Sequence, residues 1–366
     1  MTKLQAVEKH VNQWKSSLDH RSFRTWESAK FVLLTGLLLL ICANSSFGEE
    51  RNANHRGRDA AENVSGVLWV QPASIATRDL FYGPGGKDHE PHTTFTFLRE
   101  DLHGTNPKFD IRDEYGNKWR VKLGAEAKPE TAASRLLWAV GYFANEDYFL
   151  PDLRVEGMKP LKRGKKLVGP EGTMADVRLK RLLKDETKIG GWRWRSNPFA
   201  GRREFNGLRV MMALMNSWDL KDENNSVYRE TTDADNSGVH YMISDLGSTF
   251  GTTGLSYPDS RSKGNLPAYA RSKFIKKVNG EYVDFNVPTR PNLWHLVNPK
   301  EFIVRLRLEW IGKHIPRADA QWIGQLLSQL SRDQVRQAFQ AAGYSAEEVE
   351  RFSDVVEERI TELNRL

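Results

Sequence analysis

The chain has 366 residues, 39% of them hydrophobic, and a formal net charge of +7. That is enough apolar material for two packed lobes, while the Lys and Arg residues are scattered and form no aromatic-interleaved stripe, which argues against nucleic acid as a partner. The single cysteine, Cys42, leaves no intrachain disulfide.

Residues 31–43 form an apolar run preceded by Arg21, Arg24 and Lys30. The run is too short to span a bilayer comfortably and reads as a secretory signal. Small residues at Ser46 and Gly48 place a cleavage site before Glu49, after which no thiol remains. The long stretch ahead of the run also fits an uncleaved membrane anchor or a start codon placed too early. Residues 1–48 are thus signal or anchor, 49–66 a polar tether, and the fold is expected to begin near Val67.

Phe81 to Lys87 is glycine-rich but lacks the spacing of a Walker loop, and reads as a turn. His89-Glu90-Pro91-His92 has a proline inside the His pair, which spoils helical presentation of a metal site. From Thr94 the residues alternate as strands: 94–98, then a polar loop containing Gly104, then 109–112, a turn at 115–117, and 118–123 ending near Lys122. After Pro129 the residues from Glu130 to Val140 read as a helix with an acid in its first turn. Tyr148–Leu150 and Asp176–Leu182 supply two more strands and complete a five-stranded sheet.

Residues 183–206 are polar and rich in Trp and Arg, and lead to a buried helix over 207–217. Beyond it comes the charged loop Trp218-Asp219-Leu220-Lys221-Asp222-Glu223-Asn224-Asn225. Ser226–Glu230 and Val239–Ile243 read as two strands of a hairpin that places Asn224 beside Asp245. The turn between them, Asp233 to Gly238, begins like a calcium loop, but Ser244 stands where a bidentate Glu is required. A Gly- and Ser-rich segment runs from Gly247 to about Asn265. The remainder is expected to be helical, with capping boxes at Ser331/Gln334 and Ser345/Glu348 and a helix stop at Gly343.

Asp219-Leu220-Lys221-Asp222-Glu223-Asn224 resembles the catalytic loop of protein kinases and their atypical relatives, and Asp245-Leu246-Gly247 resembles their metal-binding Asp-Phe-Gly. The resemblance implies an α+β, two-lobed protein-kinase-like fold, with a mostly antiparallel β small lobe over 67–183 and a mostly α large lobe over 184–366. It implies transfer of the γ-phosphate of ATP with Mg2+ to a hydroxyl of a protein, lipid or small molecule. Asp219 would orient the acceptor hydroxyl and take its proton, Lys221 would steady the phosphate, and Asn224 and Asp245 would hold the metal. Lys122 would hold the α- and β-phosphates, with Glu130 as its ion-pair partner and Glu126 as a rival, and the loop around Gly104 would cover the phosphates. Kinases usually carry His-Arg before the Asp. Here Ser217-Trp218 stands there, which points to the atypical branches and away from control by a phosphorylated activation segment. Two further readings stay open: a catalytically silent pseudokinase-like binding module of the cell envelope, and adenylyl transfer on the same fold.

Overall fold

The computed structural model describes residues 65–91, 94–104, 106–231, 238–253, 263–288 and 294–366. The expected leader, its cleavage site and most of the tether fall outside these residues, as do His92 and most of the turn between Asp233 and Gly238. Among the described residues no helix is long and apolar enough to cross a membrane.

Five antiparallel strands form the first sheet: β1 (Phe95–Asp101), β2 (Lys108–Asp113), β3 (Lys118–Lys122), β4 (Asp147–Arg154) and β5 (Thr173–Leu182), in the order β1-β2-β3-β5-β4. Because side chains alternate across a strand, Trp119 and Val121 enter an apolar core with Phe109, Ile111 and Leu179, while Arg120 and Lys122 face the other side. Val155 and Leu161, from the connection between β4 and β5, join that core. The register sets Lys122 directly opposite Arg178 on β5, a pairing of like charges that needs a carboxylate between them.

The helix α1 (Ala127–Ala139) supplies it. It starts before the proline, with Glu126 at its cap and Pro129 within its first turn, where a missing N–H costs nothing. Glu126 and Glu130 therefore lie one turn apart on the same side of the helix. Farther along α1, toward its C-terminal end, Ala133, Leu136 and Leu137 join the second and larger core.

That core holds α2 (Arg203–Leu214), whose residues from Val210 to Leu214 are fully buried. The helix ends earlier than expected because Asn216 adopts a left-handed conformation, φ 50°. Beside it lies a second sheet of β6 (Glu186–Gly190), β7 (Asn225–Glu230) and β8 (Val239–Ile243). The expected small lobe began at Val67. In the structure, however, the Val67 amide donates to the Val239 carbonyl at 2.8 Å, and Leu68, Ile75 and Leu80 pack into the larger core. The segment before β1 thus belongs with the helical body, as half of α1 does.

The C-terminal part is not wholly helical. The helices α3 (Leu266–Arg271), α4 (Trp294–Val297) and α5 (Pro299–Leu306) are interspersed with a third sheet of β9 (Ile275–Asn279), β10 (Tyr282–Phe285) and β11 (Ile315–Pro316). The helices α6 (Arg317–Leu327), α7 (Arg332–Gln340) and α8 (Ala346–Asn364) follow. Both expected capping boxes are made, at Ser331 with Gln334 and at Ser345 with Glu348.

Candidate active site

Lys122 ends β3 where α1 begins, and its ammonium meets three carboxylates: Glu130 at 2.7 Å, Glu126 at 3.0 Å and Asp245 at 3.0 Å. The residue is 4% exposed, so it is not the solvated edge lysine that its strand position alone would suggest. Burial alone would lower its pKa, but Asp245, Glu130 and Glu126 outweigh that and hold it well above the ordinary lysine range. Glu126 and Glu130, rivals in the sequence, share the lysine.

Glu130 also takes Arg178 Nη2 at 2.8 Å, and Arg178 Nη1 lies 3.4 Å from the buried Asp147. Glu130 thereby bridges the two like charges set opposite one another by the register of β3 and β5. Glu126 receives Lys263 at 2.8 Å, from beyond the Asp-Leu-Gly segment, and Asn106 Nδ2 at 2.5 Å, from the β1–β2 loop. Gly104, expected to cover the site, sits exposed with φ +69° on that same loop, its carbonyl accepting from Arg163. The loop residue that reaches the Lys122 cluster is Asn106 instead.

Asp245 follows β8 and is the open member of the cluster, with 37% of its side chain exposed. Burial by the surrounding protein raises its pKa, Lys122 opposes this, and Glu130 and Glu126 raise it further. Four carboxylates (Glu126, Glu130, Asp147, Asp245) face three cations (Lys122, Arg178, Lys263), and the acid left least neutralised is the one that opens outward. Glu126, Glu130 and Asp245 each offer an oxygen within 4.8 Å of the others. Oxygen donors with surplus negative charge suit a hard divalent cation.

The second cluster is built on the loop after α2. Asp219 Oδ1 accepts from Arg305 of α5 and lies 3.9 Å from Lys221 Nζ. Asn224 Nδ2 donates to the Asp219 carbonyl at 2.6 Å, which braces the loop and leaves its Oδ1 as the acceptor it can offer a cation. Asp222 Oδ1 accepts from the Trp194 amide at 3.0 Å, and burial pushes its pKa up, so the loop is clamped to the buried Trp192–Trp194 pair. The two clusters meet through the backbone: Asn225 pairs with Ile243, and the Ser244 amide donates to the Asn224 carbonyl at 2.8 Å. The hairpin therefore brings Asn224 beside Ser244, next to Asp245, as its two strands require.

Sequence reasoning missed Arg178, Lys263, Asn106 and Arg305. Arg178 had a signal, being a lone cation between the apolar Val177 and Leu179 on an expected strand. The others lie on loops or on a helix with no motif.

No protein-family model matches the chain, and no curated protein matches it by sequence. Among solved structures it is similar to a Helicobacter pylori proinflammatory kinase, CtkA, with a TM-score of 0.39 and 11% identity over 74% of this chain and 96% of that one. It is also similar to a Golgi casein kinase, with a TM-score of 0.28 and 11% identity over 84% of this chain and 88% of that one. A structure of the Golgi casein kinase with Mn/ADP bound gives 0.27 and 10%, over 74% and 73%. These likenesses are remote, and the chemistry of the site rests on its own geometry.

Proposed function

We propose that the chain is a phosphotransferase of atypical kinase-like type, transferring the γ-phosphate of ATP to a hydroxyl acceptor with a divalent metal, Mg2+ as the expected one. The observation that carries this reading is the buried Lys122 ammonium among Glu126, Glu130 and the outward-opening Asp245, placed one backbone hydrogen bond from the Asp219–Asn224 loop. A metal held by Asp245, with Asn224 as the second donor, would neutralise charge on the phosphates. Lys122 binds phosphate oxygens, kept in place by Glu130. Asp219 takes the proton of the acceptor hydroxyl as its oxygen bonds to the γ-phosphorus and the bond to the β–γ bridging oxygen breaks, its electron pair leaving with ADP.

Calorimetric titration of ATP with and without Mg2+ tests the binding half. Parent protein should bind Mg-ATP, and Asp245→Asn should weaken that binding by roughly tenfold or more, about 1.4 kcal/mol or more. Equal affinity of the two proteins for Mg-ATP would remove Asp245 from the metal site.

One observation favours a catalytically silent binding module: the ion pair of Arg305 on Asp219 competes with a proton for Oδ1. Transfer of γ-label by the parent decides against it, and transfer of α-label would indicate adenylylation.

The proposed place of action is outside the cytoplasm, on the strength of the apolar run at 31–43 with basic residues before it. Mass spectrometry of extracytoplasmic material should find a mature N-terminus near Glu49. Recovery of the intact leader from the cytoplasm would contradict export.

A further inference from the structure

The catalytic-type loop lacks an arginine of its own beside Asp219, the preceding residues being Ser217 and Trp218. An arginine arrives from 86 residues away. Arg305, on α5, is 3% exposed, and its guanidinium has three anchors besides Asp219. Nη1 donates to the Trp218 carbonyl at 3.1 Å, Nη2 lies 3.2 Å from Glu301 Oε1, and the group stacks 4.8 Å from the centre of the Trp218 ring. A planar fork held in this way has little freedom to rotate, so whatever it bonds to is fixed as well.

What it bonds to is one oxygen of Asp219. Arg305 Nη1 donates to Oδ1, and the other nearby cation, Lys221 Nζ, also faces Oδ1 at 3.9 Å. The Asp219 backbone is held separately, by Asn224 Nδ2 on its carbonyl at 2.6 Å. Among the described residues, no hydrogen bond falls on Oδ2. The carboxylate thus has one oxygen engaged and one presented, and it is 28% exposed.

We propose that Arg305 is the positioning residue of Asp219: it ties down Oδ1 so that Oδ2 is the oxygen that receives the acceptor proton. This rests on the phosphotransfer reading and makes it more specific. It also turns the ion pair from an objection into a part of the machinery, because an arginine on Oδ1 leaves the proton-accepting position of Oδ2 open while removing the rotation that would swap the two oxygens. Misplacing a reacting group by about 1 Å costs on the order of a hundredfold in rate, so the loss of Arg305 falls on turnover.

The test is steady-state γ-phosphate transfer, with Mg-ATP affinity measured in parallel, on the full chain carrying Arg305→Gln, Arg305→Lys or Glu301→Gln. Arg305→Gln should lower kcat by about 10- to 100-fold with the Kd for Mg-ATP within about twofold of the parent. Arg305→Lys, which keeps the charge but not the fork, should recover part of that loss. Glu301→Gln frees one side of the fork without touching Asp219, and should give a smaller fall in kcat; it carries the test if Arg305→Gln does not fold. Unchanged kcat in both folded variants overturns the positioning role alone, as does an equal loss of nucleotide affinity and turnover in the Gln and Lys variants, which is what a merely structural arginine would give. Absence of γ-transfer by the parent overturns this proposal together with the phosphotransfer reading, while parental Mg-ATP binding lost in Asp245→Asn would still leave the nucleotide site standing.

Discussion

Replacing Lys122 by Met is expected to destabilise the folded chain by about 3–5 kcal/mol at neutral pH, the usual cost of removing one member of a buried ion cluster. The ammonium is the common partner of Glu126, Glu130 and Asp245. Methionine fills similar space, so what is lost is charge. Glu126 keeps Lys263 and Glu130 keeps Arg178, but Asp245 loses its cation and faces the other two acids. Asp245→Asn in the same chain should recover part of the loss, so the double variant should cost less than the two single costs combined.

Acid should narrow the gap between parent and Met variant. Although burial alone would raise it, Lys122 and Lys263 pull the Glu126 carboxyl from 4.5 down to about 2. A carboxyl whose folded pKa lies below its unfolded one stabilises fully above the unfolded value and loses that contribution as pH falls through the folded value. Lys122's share of this is therefore present above pH 4.5 and fades toward pH 2. Protonation of the crowded Asp245 in the variant acts in the same direction. Urea unfolding of both proteins across this window measures it. A cost below about 1 kcal/mol, or one that stays constant with pH, would mean that the cluster does not hold the fold together.

What the sequence made legible was whatever local chemistry encodes. Alternation marked the strands of the first sheet and put Lys122 at the end of one of them. Ser331 with Gln334 and Ser345 with Glu348 marked helix starts that the structure reproduces. The spacing from Asp219 to Asn224 and the hairpin up to Asp245 placed the two clusters side by side. Long-range pairing was not legible. Arg305 and Arg307 stand two apart on one stretch, one buried against Asp219 and the other exposed, and only the docking of α5 distinguishes them. The burial of Lys122 depends on the β3–β5 register, which no single strand reveals. The third sheet did have a signal: Asn279-Gly280 separates Ile275–Val278 from Tyr282–Phe285, and Gly280 adopts φ +62°. The polar face of β9 hid it, since four of its five residues are exposed and the run lacks the apolar alternation of a half-buried strand.

Asp219→Ala should lower phosphoryl transfer by roughly two to four orders of magnitude, the usual weight of a positioned acid or base, while leaving Mg-ATP affinity nearly intact. The geometry separates the two effects. The Asp219 carboxylate meets Arg305 and Lys221, whereas phosphates and metal would be held by Lys122, Asp245 and Asn224, the last of which bonds the Asp219 carbonyl and not its carboxylate. Truncation should leave the fold in place, because Arg305 retains Glu301 and the Trp218 carbonyl and the loop keeps the Asp222 bond to Trp194. Asp219→Asn sharpens the test: it keeps the size and the acceptor oxygen that Arg305 needs but cannot take a proton, so it should fall nearly as far as the Ala variant if Asp219 is a base. Recovery of most of the activity by Asn would mean that the residue serves only to anchor Arg305. Since the acceptor is undefined, the assay should combine the purified chain with cell-envelope extract and ATP labelled at the γ- or the α-phosphate. Incorporation of γ-label by the parent and its loss in both variants supports the catalytic base, whereas equal labelling by parent and variants ends that assignment.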